Sequence, residues 1–131
     1  MSTRVLLCDD SGAMLALLER RIKEVCTLGF EVVGKAKDGN ECIIKYNTLK
    51  PDLVLLDITM PNKDGRECLQ ELLIQNPTAK VVMVSAVMDD QVRNACLAAG
   101  AKAFISKGDL ISAQDFMSKI LPVIQPIVMA A

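Results

Sequence analysis

The chain has 131 residues, about half of them apolar, with 15 Lys and Arg against 16 Asp and Glu and a net charge of −1. That is enough for one domain with a real core and too little for two. Near-neutrality, with no basic cluster beyond Arg20-Arg21, leaves no electrostatic footprint for DNA. Histidine is absent, which removes Ser-His-Asp, Cys-His and His-metal chemistry. No apolar run approaches the ~20 residues a bilayer requires, so no membrane association is expected. Residues 1–4 run straight into a strand pattern, so no signal peptide is expected either, and the predicted location is cytoplasmic. Five cysteines, Cys8, Cys26, Cys42, Cys68 and Cys96, lie in or beside apolar stretches without metal spacing, and read as small, reduced hydrophobes.

Strand-like and helical patterns alternate along the chain. Arg4–Asp9 is a buried-type strand, followed by Met14, Leu18, Ile22 and Cys26 at helical spacing, with Gly29 as the stop. Glu31–Ala36 is a second, weaker strand, and its helix carries Cys42, Tyr46 and Leu49 before Pro51. Asp52–Asp57 is the third strand, and its helix, with Cys68, Leu69, Leu72 and Leu73, closes at Asn76-Pro77. Lys80–Ser85 is the fourth, followed by a helix that Asp89 caps and Gly100 stops. Lys102–Lys107 is the fifth, with a last helix over Leu110–Leu121. Strands apolar on both faces belong in a parallel sheet covered by helices, which predicts a three-layer α/β sandwich.

Four of the five strands finish on a hydrophilic residue: Asp9-Asp10, Asp57, Ser85 and Lys107. Open α/β sheets bind ligands at the carboxyl ends of their strands, so these groups are expected to meet in one crevice. Three close carboxylates repel unless a cation neutralises them. Hard oxygen ligands with room for water suit Mg²⁺. A metal and an ammonium facing a nucleophilic carboxylate, with Ser85 and nearby backbone N–H groups for the extra oxygens, make a phosphoryl-transfer site.

The acidic pair in LLCDDS, the segment LLDITMPNKDG, the strand-four VSA and the AFISK segment together resemble the receiver domains of two-component response regulators, of the CheY-like stand-alone chemotaxis type. The resemblance spans about residues 4–121. It implies a flavodoxin-like fold with strand order 2-1-3-4-5 and five helices. It implies that Asp57 accepts a phosphoryl group, that Asp10, Asp57 and the Thr59 backbone carbonyl bind Mg²⁺, and that Asp9 holds the metal's waters. Ser85, Lys107 and the Ala86 backbone N–H would bind the phosphoryl oxygens, and Phe104 would be the aromatic switch. Thr59 and Val87 occupy the positions that tune dephosphorylation. The chain departs from the family where Gly108, rather than proline, follows Lys107.

The resemblance implies a histidine kinase or phosphotransfer protein upstream and a partner protein downstream, reached through the helix 4–strand 5–helix 5 face. Three other readings stay open. A haloacid-dehalogenase-type phosphatase would need a second Asp where Thr59 stands, and a flavodoxin-like electron carrier would need phosphate donors where Asp9-Asp10 stand. The chain would also serve as the receiver half of a larger regulator.

Residues 1–121 are thus expected to form the receiver domain and 122–131 an apolar tail, PVIQPIVMAA. Pro122 should end or kink the last helix and Pro126 should stop it resuming. Val123, Ile124, Ile127, Val128 and Met129 would then pack on the protein's own first and last helices or on a second copy.

Overall fold

The computed structural model describes residues 2–130, so Ala131 of the predicted tail lies outside the described residues. Five parallel strands, β1 (Thr3–Cys8), β2 (Phe30–Ala36), β3 (Leu53–Asp57), β4 (Val81–Ser85) and β5 (Ala103–Ser106), form one sheet in the order β2-β1-β3-β4-β5. Each strand lies within two residues of its predicted position. The connecting helices are α1 (Gly12–Glu24), α2 (Gly39–Leu49), α3 (Gly65–Gln75) and α4 (Asp90–Ala98). A composite fifth, α5, joins Ala113–Asp115, a π-helical turn over Phe116–Ile120, and Leu121–Met129. Among the described residues, no helix is long and apolar enough to cross a membrane.

Successive side chains of a strand point to opposite faces, and the apolar runs fill both. Val5, Leu7, Leu53, Leu55, Val82 and Val84 meet α1 and α5, packing on Leu18, Ile22, Phe116 and Ile124. Leu6, Cys8, Val54, Leu56, Val81 and Met83 meet α2, α3 and α4, packing on Cys42, Leu69, Leu72 and Cys96. The helix starts are set by local chemistry. Ser11, Asp38, Asp64 and Asp89 each accept a backbone N–H of the first turn, and Asp64 forms a reciprocal capping box with Glu67.

Three sequence expectations are corrected. α1 ends at Glu24, not at Gly29; a 3₁₀ turn over Cys26–Leu28 intervenes, which Gly29 closes at φ 89°, and Cys26 is exposed instead of buried. The last helix starts at Ala113, because Lys107–Leu110 forms a separate 3₁₀ turn and the Ser112 hydroxyl caps α5 by accepting the Asp115 N–H.

The third correction is that the helix continues through both prolines. The π turn lets Leu121 N–H donate five residues back to the Phe116 carbonyl. Pro122 then falls in the first turn of the final stretch, where a missing N–H breaks no bond. Pro126 sits inside that stretch on its exposed side, where water can serve the carbonyl left unbonded. Ile124 is fully buried in the α1–α5 core, with Ile127 and Val128 packed against it, while Val123 and Met129 face solvent. Lys80 Nζ caps the end, donating to the Ala130 carbonyl at 2.7 Å and the Val128 carbonyl at 3.4 Å. A proline inside a helix costs about 3 kcal/mol; full burial of Ile124, at about 1.5–3 kcal/mol, together with partial burial of Ile127 and Val128 offsets it.

Candidate phosphoryl-acceptor site

The strand ends converge as the alternation of apolar runs and polar stops predicts. Asp57 closes β3 beside Val84 of β4, Ser85 closes β4 beside Ser106 of β5, Asp9 directly follows β1, and Lys107 directly follows β5. Asp10, Asp57, Thr59, Ser85, Ala86, Val87 and Lys107 line one crevice of about 400 Å³. Ile58, Asp89 and Val92 also line it. Sequence patterning gives those three no place in the site: Asp89 is legible only as a helix cap, and Val92 only as one apolar residue of α4.

Asp9 is 1% exposed and Asp57 4%, whereas Asp10 is open to solvent. Each offers a carboxylate oxygen, and the three lie within 4.8 Å of one another. Lys107 Nζ is 2.9 Å from Asp9 Oδ2 and 3.3 Å from Asp57 Oδ1. Asp9 Oδ1 accepts the Ser11 N–H at 2.9 Å, and the buried Asp9 Oδ2 faces only the Lys107 ammonium, 2.9 Å away. Three carboxylates this close, with one ammonium among them and Asp10 open to water, fit a hydrated divalent cation.

Burial, then the neighbouring Asp9 carboxylate, push Asp57 up to about 6; Lys107 and the Thr59 N–H pull the other way. For Lys107 burial acts downward, but the Asp9 and Asp57 carboxylates outweigh it and the ammonium is held above its ordinary range. The site thus holds opposed charges at short range.

Ser85 Oγ is engaged with its own loop, donating to the Val87 carbonyl at 2.6 Å and accepting the Val87 N–H at 3.1 Å. Val87 is 69% exposed at the rim. Phe104 is half-buried against the α2–α3–α4 core, paired in register with Met83. Of the residues singled out from sequence, Asp9 and Phe104 do not line the crevice; Asp9 lies beneath it, grouped with Asp10 and Asp57, whereas Phe104 belongs to neither.

A five-strand sheet in this order, with three acids and a lysine at its carboxyl ends, is the architecture of a receiver domain. Residues 5–120 match the response regulator receiver domain family, and the chain belongs to it. Chemotaxis protein CheY of Thermotoga maritima is 39% identical over 107 residues, covering 82% of this chain and 87% of that protein. The response regulator domain of Thermotoga maritima CheB superposes with a TM-score of 0.88 at 33% identity, covering 100% of this chain and 99% of that one. CheY in the CheX–CheY–BeF3–Mg complex of Borrelia burgdorferi superposes with a TM-score of 0.84 at 33% identity, covering 97% and 90%. Receiver domains are signalling proteins and not classical enzymes.

Proposed function

We propose that this receiver works as a single-domain response regulator whose Asp57 carries the signal as an acyl phosphate. The observation that carries the reading is the setting of Asp57: a buried carboxylate at a strand end, faced by an ammonium and grouped with two more acids. An Asp57 carboxylate oxygen attacks the phosphorus of a kinase phosphohistidine or a small phosphodonor. The bond from phosphorus to the donor breaks, and the donor leaves with that electron pair. Asp10, Asp57 and the Thr59 carbonyl would hold Mg²⁺, with Asp9 fixing its waters; when bound, the ion supplies positive charge to the phosphoryl oxygens. Lys107 pairs with one of those oxygens, and the Ala86 N–H and the Ser85 hydroxyl take others. Ser85 must leave Val87 to do so, and that release, with Phe104 turning inward, would change the α4–β5–α5 face and its affinity for a partner protein.

The Borrelia CheY complex, with beryllium fluoride, Mg and CheX, supports both the metal and a protein partner, and similarity to CheY supports a chemotaxis or motility setting. Likeness to a domain of CheB equally supports a receiver joined to a larger regulator. Thr59 stands where a haloacid-dehalogenase-type phosphatase needs its second Asp, which disfavours that alternative.

The test is labelling with a small acyl phosphate in Mg²⁺, read by intact-protein mass and peptide mapping. One phosphoryl group on Asp57, lost in Asp57→Asn and without Mg²⁺, is the expected result. Undiminished labelling of Asp57→Asn overturns the assignment.

A further inference from the structure

Among the described residues, four polar or charged side chains are buried: Asp9, Asp57, Ser85 and Arg21. The first three belong to the crevice. Arg21 is on the α1 side of the sheet, 7% exposed, and nothing in the acceptor chemistry calls for it. A buried guanidinium is costly to desolvate, and an apolar side chain of similar volume would fill the same space more cheaply. Its hydrogen bonds indicate what it does there. Nε donates to the Leu110 carbonyl at 2.9 Å, Nη2 donates to the Ile111 carbonyl, and Nη1 donates to Glu24 Oε1 at 2.9 Å.

Those two carbonyls close the 3₁₀ turn Lys107–Leu110, the turn that begins with the active-site lysine. Carbonyls at the end of such a turn have no partner within it. Gly108, the second residue of the turn, gives it the most permissive backbone available. Its other restraints are the Ser106 Oγ cap on Gly108 N–H at 3.2 Å, a loose 3.7 Å ion pair between Asp109 and Lys119, and the buried Leu110 side chain. Arg21 is the restraint that reaches in from α1. Its planar fork holds two successive carbonyls at once, which fixes orientation as well as position. α1 itself is capped by Ser11, directly after the Asp9-Asp10 pair, so one helix joins the acidic strand end to the turn that carries Lys107.

We propose that Arg21 is a positioning residue for the phosphoryl site, holding the Lys107 turn so that the ammonium stays aimed at Asp9 and Asp57. This rests on the acceptor role of Asp57 proposed above.

The probe is beryllium fluoride with Mg²⁺, titrated calorimetrically into the full chain. Arg21→Met keeps an unbranched, helix-compatible side chain and removes the fork. It should weaken binding about tenfold, the scale typical of residues that orient a ligand's contacts. Arg21→Lys should not restore it, because one ammonium cannot span both carbonyls in a plane. Ile22→Val, which loosens the same helix but leaves both Arg21–carbonyl bonds in place, should bind as the unmodified chain does. Because Arg21 acts through Lys107, Arg21→Met should add nothing in a Lys107→Ala background. Full additivity of those two changes overturns the proposal, as does an equal loss in Ile22→Val. Unmodified affinity in Arg21→Met overturns this inference alone, whereas no binding by the unmodified chain overturns the Asp57 reading with it.

Discussion

Lys107 leans toward Asp9: its ammonium is 2.9 Å from Asp9 Oδ2 but 3.3 Å from Asp57 Oδ1. The lysine thus bridges two strand ends instead of pairing with Asp57 alone. Removing it should therefore uncouple the outcome from the chemistry. Lys107→Ala is expected to leave labelling of Asp57 by an acyl phosphate within several-fold of normal. It should abolish the accompanying change in amide exchange along β5 and α4. Normal exchange changes in the variant would remove Lys107 from the relay.

The ionisation of Asp57 predicts a pH dependence. Asp57 is pushed up to about 6 from an ordinary 3.8, chiefly by burial and secondarily by Asp9. The folded protein therefore binds this proton more tightly than the unfolded chain does. Between those two values stability falls as pH rises, and the loss is complete above about 6. At ~1.4 kcal/mol per pH unit, the charge costs at most about 3 kcal/mol at neutral pH. In metal-free buffer, Asp57→Asn should gain little over the unmodified protein near pH 4 and most near pH 7, as urea unfolding would measure. A gain equal at both pH values would contradict the burial of this charge. Added Mg²⁺ should narrow the gap by stabilising the ionised form, and Asp10→Asn should reduce that rescue.

Val87 is expected to set the lifetime of an acyl phosphate on Asp57. Its exposed apolar side chain stands at the crevice rim, where it can neither orient nor activate an attacking water. Val87→Glu is expected to speed loss of phosphate from Asp57 several-fold, measured as decay of the labelled protein after donor removal. A slower decay would refute the idea.

The end of α5 is part of the core and should behave so. Ile124→Ala removes a fully buried side chain from the α1–α5 cluster and should cost about 2–5 kcal/mol. Met129→Ala, at an 80% exposed position in the same helix, should be nearly neutral. Chemical denaturation distinguishes them, and equal small effects would mean that the tail is passive.

The sheet was legible because its central strands are buried on both faces: β1, β3 and β4 carry apolar runs, and a polar residue at the end of such a run marks where the core stops, whereas the edge strand β2, with Glu31, Gly34 and Lys35, gives a weaker signal. The crevice was legible for the same reason, since Asp9, Asp57, Ser85 and Lys107 are those stops. Pro126 misled because a local rule was applied without the packing energy of Ile124 and Ile127, and without the π turn that absorbs Pro122. Cys26 misled because helical spacing continued past Val25 although the helix did not. Arg21 was read only as half of a basic pair. Its position, three residues after Leu18 and four before Val25, puts it on the core face, and that spacing was the available signal.

The Lys80 cap also decides how the molecule can be handled. It pins the Ala130 carbonyl beside the start of β4, whereas Asp57 and Ser85 stand at the finish of β3 and β4. A strand of five residues spans roughly 16 Å, and Thr3 opens β1 at that same remote pole. Tethering the protein to a sensor surface through either end would thus leave the crevice open to the bulk solution. A dye attached there would report tumbling and complex size without crowding the acidic mouth.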